Sequence, residues 1–200
     1  MTEPSTAISL RGLTKAFGPV IANDSIDLDV HHGEILALLG ENGSGKTTLM
    51  NMLSGIYQPD AGSILIGGKP VSIRSPKDAI SLGIGMIHQH FKLVDLFSAR
   101  ENILLGHSAK GNLSPDAVCE KLGLKADLNK KVYNMSVSEK QTVEILKVLT
   151  RGADILILDE PTAVLTPQEI EALFDILRVM KQEGRAIVII THKLEEVMDI

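Results

Sequence analysis

The residues best placed to do chemistry lie in Gly40–Thr47, which reads Gly-Glu-Asn-Gly-Ser-Gly-Lys-Thr. This segment fits the phosphate-binding pattern G-x-x-x-x-G-K-[ST] at every fixed position. Its glycines let the backbone curl so that successive N–H groups face phosphate oxygens, and a helix beginning near Gly45 adds the positive end of its dipole. Lys46 can reach the β- and γ-phosphates, and the Thr47 hydroxyl can bind Mg²⁺. The segment therefore predicts a nucleotide site.

A chance glycine turn is the competing interpretation of this segment. The residues on either side favour the nucleotide site, because the apolar run Ile35–Leu39 is typical of a buried strand and Lys46 to Ser54 is typical of a helix. A strand, a glycine-rich loop and a helix in this order are the setting that the phosphate-binding pattern requires.

Two carboxylates, Asp159 and Glu160, directly follow the apolar run Ile155–Leu158, which predicts a buried strand. In an open parallel sheet, ligands bind at the carboxyl ends of the strands, and the phosphate loop leaves its own strand at the same edge. One acid there can hold Mg²⁺, and its neighbour can orient and deprotonate an attacking water. The alternative is a pair of helix-capping or loop acids. The four aliphatic residues before them favour the catalytic interpretation.

Gln89 and His192 also come just after predicted strands, Ile84–Ile87 and Ala186–Ile190. Neither residue is informative alone, and a single histidine is more often structural or exposed. Their value comes from the set, because the loop, the acid pair, the glutamine and the histidine would all lie at one edge of the sheet. His192 could there contact the γ-phosphate or the attacking water.

The order of the predicted elements indicates an α/β fold. Strands with continuous apolar sequence alternate with helices in the last third of the chain, at Val137–Arg151 and Thr166–Gln182, which predicts a parallel sheet covered by helices. The alternating strand Ile26–Val30 and a hairpin of Ser63–Ile66 with Val71–Ile73 predict a small antiparallel sheet beside it.

The predicted domain organisation is a single domain over residues 1–200. We expect its nucleotide-binding core to comprise residues 1–90, with the antiparallel part, and residues 155–200. Leucines and charges at helical spacing from Phe91 to Met135 predict an inserted helical subdomain over about residues 91–150. The sequence stops at Ile200 inside a predicted helix, so we expect it to be truncated at the C-terminus.

Composition narrows the classes of function. The chain has 25 acidic and 20 basic residues and a net charge of −5, with no basic block, so no nucleic-acid partner is expected. A single cysteine, Cys119, excludes an internal disulfide and fits a reducing compartment. No apolar run reaches membrane-spanning length and Met1–Ser5 does not resemble a signal peptide, so we expect a soluble cytoplasmic chain that meets a membrane only through a partner. No other potential metal ligands accompany the histidines His31, His32, His88 and His90 in the sequence. Metal binding by protein ligands alone is therefore not expected.

The order of these motifs resembles the ATP-binding cassette (ABC) ATPases over essentially the whole chain: the phosphate loop, Gln89, Ser136–Glu139, Asp159-Glu160 and His192. The resemblance implies a P-loop NTPase core with ATP and Mg²⁺ as cofactors. It makes Glu160 the catalytic base and His192 the γ-phosphate switch. Lys46 and Gln89 complete the implied catalytic set, with Gln89 also sensing Mg²⁺ and a transmembrane partner.

The binding residues that the resemblance implies fall into groups. Phe17 would stack on adenine, and the ATP phosphates would contact Gly40, Glu41, Asn42, Gly43, Ser44, Gly45, Lys46, Thr47 and Thr48. Thr47, Gln89 and Asp159 would hold the metal. The family works as head-to-tail dimers, so the signature residues Ser136, Val137, Ser138 and Glu139 would close on the ATP of a partner cassette, and Ala163–Thr166 would cross to it.

Within the family the sequence is most similar to importers of nucleosides and sugars, at Arg74–Ile80, Gly83–Phe91 and Glu160–Glu169. This implies transmembrane permease subunits, a second cassette in the same polypeptide or a homodimer, and indirectly an extracytoplasmic substrate-binding protein. The location would be the cytoplasmic face of the cell membrane. The alternatives are a soluble ABC protein of translation or DNA maintenance, and a catalytically impaired regulatory cassette.

The signature segment departs from the family pattern, because it reads Met135-Ser136-Val137-Ser138-Glu139 where this group of importers has Leu-Ser-Val-Gly-Glu. Methionine for leucine is a cheap exchange. Ser138 is a larger change, since its Cβ is expected to clash with the γ-phosphate or to demand a strained φ. We therefore expect asymmetry: the site built on Lys46 and Glu160 hydrolyses ATP, and the site that borrows Ser138 is impaired.

Overall fold

The computed structural model describes residues 5–89, 91–107, 113–124 and 126–200, so His90 and residues 1–4 of the sequence lie outside it. Eight strands and seven α-helices are assigned in these ranges. In chain order they are β1 (Thr6–Phe17), β2 (Val20–His31), β3 (Ile35–Leu39), α1 (Lys46–Leu53), β4 (Ala61–Ile66), β5 (Lys69–Val71), α2 (Pro76–Ser81), β6 (Ile84–Ile87), α3 (Ala99–Leu104), α4 (Pro115–Leu122), a 3₁₀ turn (Val132–Asn134), α5 (Val137–Leu149), β7 (Ile155–Asp159), α6 (Pro167–Gln182), β8 (Ala186–Thr191) and α7 (Leu194–Asp199).

The central element is a four-stranded parallel sheet in the order β3-β8-β7-β6. Every residue of β7 and β8 is buried, as their continuous apolar sequence predicts. The expected burial of Ile35–Leu39 is wrong in degree: β3 is an edge strand of this sheet, its first four residues are partly buried, and Leu39 is 46% exposed. Along β7, Ile155 and Ile157 contribute to one hydrophobic core, while Leu156 and Leu158 contribute to the other. The sheet therefore forms the wall between two cores.

One core lies between the parallel sheet and a four-stranded antiparallel sheet of order β2-β1-β4-β5, with α1 packed into it through Met50 and Met52. The other core joins the opposite face of the parallel sheet to α5 and α6, and α3 and α4 pack there as well. The predicted α/β class, with a parallel and an antiparallel sheet, is confirmed. The division into a core and a helical subdomain stays a prediction.

The predicted hairpin is displaced in its second strand, which is β5 (Lys69–Val71) and not Val71–Ile73. The turn explains the difference. Gly67 and Gly68 both have positive φ, 53° and 77°, which is typical of the two-residue turns that join tightly paired strands. Such a turn pairs Ile66 directly with Lys69, and the strand has ended before Ile73.

Helix ends follow the capping signals in the sequence. The N-caps Ser98, Ser136 and Thr166 each form a reciprocal capping box with a glutamate three residues later, and proline occupies the first turn of α6. The region from Phe91 to Met135 is less helical than its leucine spacing predicts. Among the described residues it holds α3, α4 and the 3₁₀ turn, joined by irregular segments.

In the part of the chain that the structure describes, no helix combines the length and the apolar character needed to cross a membrane.

Candidate active site

The strand order brings the predicted site residues to one edge of the parallel sheet. The phosphate loop follows β3, His192 follows β8, Asp159 ends β7 with Glu160 next to it, and Gln89 lies two residues beyond β6. These four strands are neighbours in that same order. The polar residues therefore form a row along the carboxyl edge, although more than a hundred residues separate the loop from His192 in sequence.

The phosphate loop needs its glycines for two different physical reasons. Gly43 and Gly45 have φ of 85° and 86°, a backbone conformation that other residues rarely adopt. A Cβ on Gly45 would also lie 2.2 Å from the backbone oxygen of Ala22, whereas one on Gly43 would meet nothing within 4 Å. Gly40 has no positive φ, but a Cβ there would crowd the Ser44 hydroxyl at 3.1 Å.

Lys46 turns its ammonium group back over the loop. Its Nζ donates to the backbone oxygens of Gly40 at 2.7 Å and Glu41 at 2.8 Å, and to the Ser44 hydroxyl at 3.0 Å. These contacts hold one positive charge above the curled backbone, next to the N-terminal turn of α1. Both the charge and the helix dipole favour an anion at that place.

Glu160 joins Gln89 and His192 through its carboxylate. Gln89 Nε2 donates to Oε2 at 3.1 Å, and His192 Nδ1 lies 3.2 Å from Oε1. Glu160 itself has φ of 46°, unusual for a residue with a side chain, and its backbone N–H donates to Ile190 at the end of β8. Strain of this kind persists when the surroundings hold it in place and is common at functional sites. The structure thus holds the three residues together around one carboxylate.

Asp159 is buried at the end of β7, and burial raises the pKa of its carboxyl, with the charge of Glu160 adding to the effect. The Thr47 hydroxyl, His88 and Lys46 act in the opposite direction and do not cancel it. A carboxylate, a hydroxyl and an amide from Asp159, Thr47 and Gln89 are the hard oxygen donors that Mg²⁺ prefers, and Mg²⁺ usually takes only one or two carboxylates besides phosphate oxygens. The donor set therefore fits the metal.

Replacing Asp159 with asparagine is expected to stabilise the fold at neutral pH while weakening metal binding. A raised native pKa means that the native state binds the proton more tightly than the unfolded state, so stability falls as pH rises through the window above the ordinary aspartate pKa. Asparagine does not ionise, so the variant does not lose stability as the pH rises through this window. Thermal unfolding between about pH 4 and 7.5 measures it. Asp154→Asn, at an exposed residue just before the same strand, is the control. Equal pH profiles for wild type and Asp159→Asn would contradict the expectation.

A cavity of about 440 Å³ lies over the phosphate loop, walled by Asn42–Thr48, by Glu160 and Ile190, and by Val20–Ala22 of β2. The side chains of Val20 and Ile21 are 62% and 61% exposed, an apolar surface next to the phosphate site. Two apolar residues at the start of a strand carry no signal of their own, so their place beside the phosphate site could not be predicted from the sequence.

Phe17 is not among the residues that line this cavity. Its ring packs edge-on against Tyr57, with 5.2 Å between centroids, and Lys15 Nζ lies 5.5 Å from its centre. The ring is 43% exposed at the end of β1, three residues before Val20. Stacking of adenine on Phe17 stays a prediction.

The signature residues lie apart from the cavity, at the N-terminus of α5. Ser136 and Glu139 form the capping box, and both Glu139 oxygens also accept from Lys130, at 2.7 and 2.8 Å. The bond from Lys130, together with the backbone of Ser136, lowers the pKa of Glu139. Ser138 lies in the first turn of the helix without a positive φ, so the expected backbone strain is wrong: a helical position accepts a Cβ. What remains of that expectation is the steric effect on a facing phosphate.

Residues 23–163, which make up most of the chain, match the protein family described as "ABC transporter". The chain belongs to the ABC transporter family. The match includes the phosphate loop, Gln89, the signature segment and the acid pair.

Three curated relatives of this chain are named as import proteins. It is 48% identical to the nucleoside import ATP-binding protein NupA of Lactococcus lactis, over 96% of this chain and 40% of the relative. It is 50% identical to the guanosine import ATP-binding protein NupO of Bacillus subtilis, over 90% and 37%. It is 42% identical to the ribose import ATP-binding protein RbsA of Corynebacterium glutamicum, over 99% and 40%. The cassette thus spans about two fifths of the length of these relatives.

Solved structures share the fold. A nucleotide-free ATP-binding cassette from an ABC transporter superposes with a TM-score of 0.87 at 23% identity, covering 97% of this chain and 84% of the other. The cbiO1 protein of Clostridium perfringens superposes with a TM-score of 0.84 at 29% identity, covering 96% and 81%.

Proposed function

We propose that this chain is the ATP-binding and ATP-hydrolysing cassette of an importer for nucleosides or related carbohydrates. The observation that carries the proposal is the Glu160 carboxylate, which Gln89 and His192 contact from either side at the sheet edge that also carries the phosphate loop. The substrate class rests on the relatives, two of which are importers of nucleosides and one of ribose.

Each group of site residues has a different role in the hydrolytic reaction. Backbone amides of Gly40–Thr48 and the Lys46 ammonium bind the phosphates and stabilise charge that develops on the γ-phosphoryl group. Mg²⁺ held by Thr47, Asp159 and Gln89 would neutralise phosphate charge when bound. Glu160 accepts a proton from the attacking water, and His192 fixes the carboxylate through Nδ1 and presents its other nitrogen to the γ-phosphate.

We assign an apolar cleft beside Gln89 to the transmembrane permease as its docking surface. The cleft has a volume of about 200 Å³ and is lined by residues of α2, β6 and α5. Ile56 and Ile80 expose 47% and 40% of their surface there, and Lys92, Lys147 and Arg151 also line it. Glu144 also lines the cleft and pairs with Lys147 at 3.6 Å, so Lys92 and Arg151 leave the cleft net positive. A permease segment with an apolar face and acidic ends is complementary to this surface. His88 lines the cleft, and the next residue, Gln89, donates to the Glu160 carboxylate. A displacement of the cleft is therefore transmitted to Glu160 through Gln89.

A second cassette, in the same polypeptide or as a second copy, completes each ATP site with its signature segment. In this proposal the protein acts at the cytoplasmic face of the membrane, and the extracytoplasmic substrate-binding protein acts through the permease. ATP binding closes the pair and hydrolysis at Glu160 reopens it.

The test is ATP-driven uptake by the intact protein and its permease in liposomes, with substrate-binding protein and labelled guanosine or ribose. We expect uptake and ATP hydrolysis that are both lost in Lys46→Ala. ATP binding without hydrolysis in the complete transporter would favour a regulatory cassette, and binding to ribosomes or DNA would favour a protein outside transport.

Ser138→Gly is expected to restore hydrolysis at the ATP site of the partner cassette. In an intact protein whose second cassette differs from this chain, Lys46→Ala removes hydrolysis from this chain's own site, so what remains comes from the site that borrows Ser138. We expect Lys46→Ala alone to be nearly inactive, and Lys46→Ala with Ser138→Gly to recover at least about tenfold, because the smaller residue lets the helix backbone approach the γ-phosphate.

Ser138→Ala is the matched control, because it keeps the Cβ and removes only the hydroxyl. Recovery with alanine as well as glycine would assign the impairment to the hydroxyl, and steady hydrolysis by Lys46→Ala alone would refute the asymmetry.

A further inference from the structure

The short helix α7 carries a buried carboxylate that the mechanism above does not use. Glu196 is 6% exposed, and both of its oxygens are occupied. Oε1 accepts from the Thr162 hydroxyl at 2.6 Å and from Lys193 Nζ at 2.9 Å, while Oε2 accepts from the Thr191 hydroxyl at 2.8 Å. One carboxylate therefore connects α7 to two other segments of the chain.

Those two segments are the ones that carry Glu160 and His192. Thr162 is two residues after Glu160 and 2% exposed, and Thr191 directly precedes His192 and is 3% exposed. The Thr191 hydroxyl also accepts from the backbone N–H of Lys193 at 3.1 Å. His192 is thus enclosed by a turn whose two ends are both bonded into the same network.

Burying a carboxylate is unfavourable unless it is paired and well hydrogen-bonded, and an apolar residue of similar volume often gives a fold at least as stable. Burial does raise the pKa of Glu196, but the hydrogen bonds from Thr162, Lys193 and Thr191 hold that pKa below its usual range. The group is therefore ionised in the fold. The next residue back, Glu195, is exposed and has no such role.

We propose that Glu196 is a positioning residue that ties the segment after Glu160 to the turn holding His192, and so fixes the His192 ring against the Glu160 carboxylate. The inference rests on the proposed ATPase function. It also connects His192 to Pro161–Thr166, the segment that includes the residues predicted to cross to the second cassette. When the two cassettes close, a displacement of that segment is transmitted to the His192 turn through the Glu196 carboxylate, which accepts hydrogen bonds from both Thr162 and Thr191.

The competing explanation is that Glu196 only fixes the start of α7. Both explanations predict some loss of stability when the charge is removed. They differ in whether the effect on catalysis passes through His192, and a double-variant experiment measures this.

The experiment compares Glu196→Gln with Glu195→Gln in the intact protein with its permease. We expect Glu196→Gln to lower kcat for ATP hydrolysis about tenfold, with KM for ATP changed less than about twofold, and Glu195→Gln to match wild type. In a His192→Ala background, Glu196→Gln should lower the residual single-turnover rate by less than about twofold. A tenfold loss in both backgrounds, an unchanged kcat, or an equal rise in KM would overturn the proposal.

Two further measurements keep the result decisive. If Glu196→Gln does not unfold cooperatively, Thr191→Val removes the hydroxyl link at nearly constant volume and is tested in the same two backgrounds, with the same expected and contradicting results. The ¹⁵N shifts of the His192 ring report its position without any ATPase assay: we expect them to move in Glu196→Gln and not in Glu195→Gln, and identical shifts would refute the link. Wild-type protein without ATPase activity would instead refute the proposed function.

Discussion

Replacing Glu160 with glutamine is expected to lower kcat for ATP hydrolysis about 10³-fold and to leave ATP affinity nearly unchanged. Glutamine keeps the size of the side chain and can still accept a hydrogen bond from Gln89, whose Nε2 lies 3.1 Å from Oε2. It cannot accept the proton of an attacking water. The loss is therefore confined to the chemical step, and the phosphate loop still binds ATP.

The same variant should accumulate the closed pair of cassettes, since closure needs ATP and reopening needs hydrolysis. Light scattering with and without MgATP measures the mass. An ATP-dependent dimer of Glu160→Gln supports a working signature around Ser138, whereas an ATP-binding monomer points to a distinct partner cassette or an impaired signature. Glu120→Gln, at an exposed residue of α4, is the control and should retain wild-type activity. Wild-type hydrolysis by Glu160→Gln would remove Glu160 from the mechanism.

Gly45→Ala is expected to destabilise the fold by about 2–5 kcal/mol and to weaken ATP binding at least about 100-fold. The alanine Cβ would lie 2.2 Å from the Ala22 oxygen, at a φ of 86° that alanine adopts only with strain. This severe contact is with backbone and not with a flexible side chain, so β2 or the loop itself has to move. Such a shift displaces the amides that face the phosphates.

Gly43→Ala is a matched control for the stability part of this prediction. It has nearly the same φ, 85°, but its Cβ would meet nothing within 4 Å, so it carries the conformational cost alone, about 1–2 kcal/mol. Equilibrium unfolding in urea of both variants gives the difference. Equal losses would mean that the contact with Ala22 is not what requires glycine at position 45.

Features encoded by adjacent residues could be predicted from the sequence. The strand, loop and helix around the phosphate loop form where Gly45, Lys46 and the apolar run before them indicate. The capping box at Thr166 and the proline after it set the start of α6. Each of these signals acts within four residues, so no knowledge of the rest of the fold is needed.

Features that depend on strand pairing or on the local backbone conformation were harder to predict from the sequence. The register of β4 with β5 depends on the conformation of Gly67 and Gly68, which pairs Ile66 with Lys69 and ends the strand two residues early. The expected strain at Ser138 was wrong for a similar reason, since the cost of a Cβ depends on the backbone conformation, and there it is helical.

The row of site residues was predictable as a group, because each follows an apolar strand and parallel strands share an edge. The hydrogen bonds among them were not. Glu196 is indistinguishable in sequence from its exposed neighbour Glu195, and only the packing of α7 against Thr162 and Thr191 shows that one is buried and bonded. Likewise, Val20 and Ile21 reach the cavity only because β2 passes beside the loop.

The position of β8 also bears on how this chain is made. In the described sheet β3 pairs with β8 alone, and β8 comes after the seven other described strands in these 200 residues. During synthesis the phosphate-loop strand therefore has no neighbour in that sheet until residues 186–191 have left the ribosome, while β6 and β7 can already pair. Insertion of β8 between β3 and β7 joins the two pieces and sets His192 beside Glu160 in one event. The nascent chain thus gains its nucleotide pocket late, when nearly all of these 200 residues have been translated.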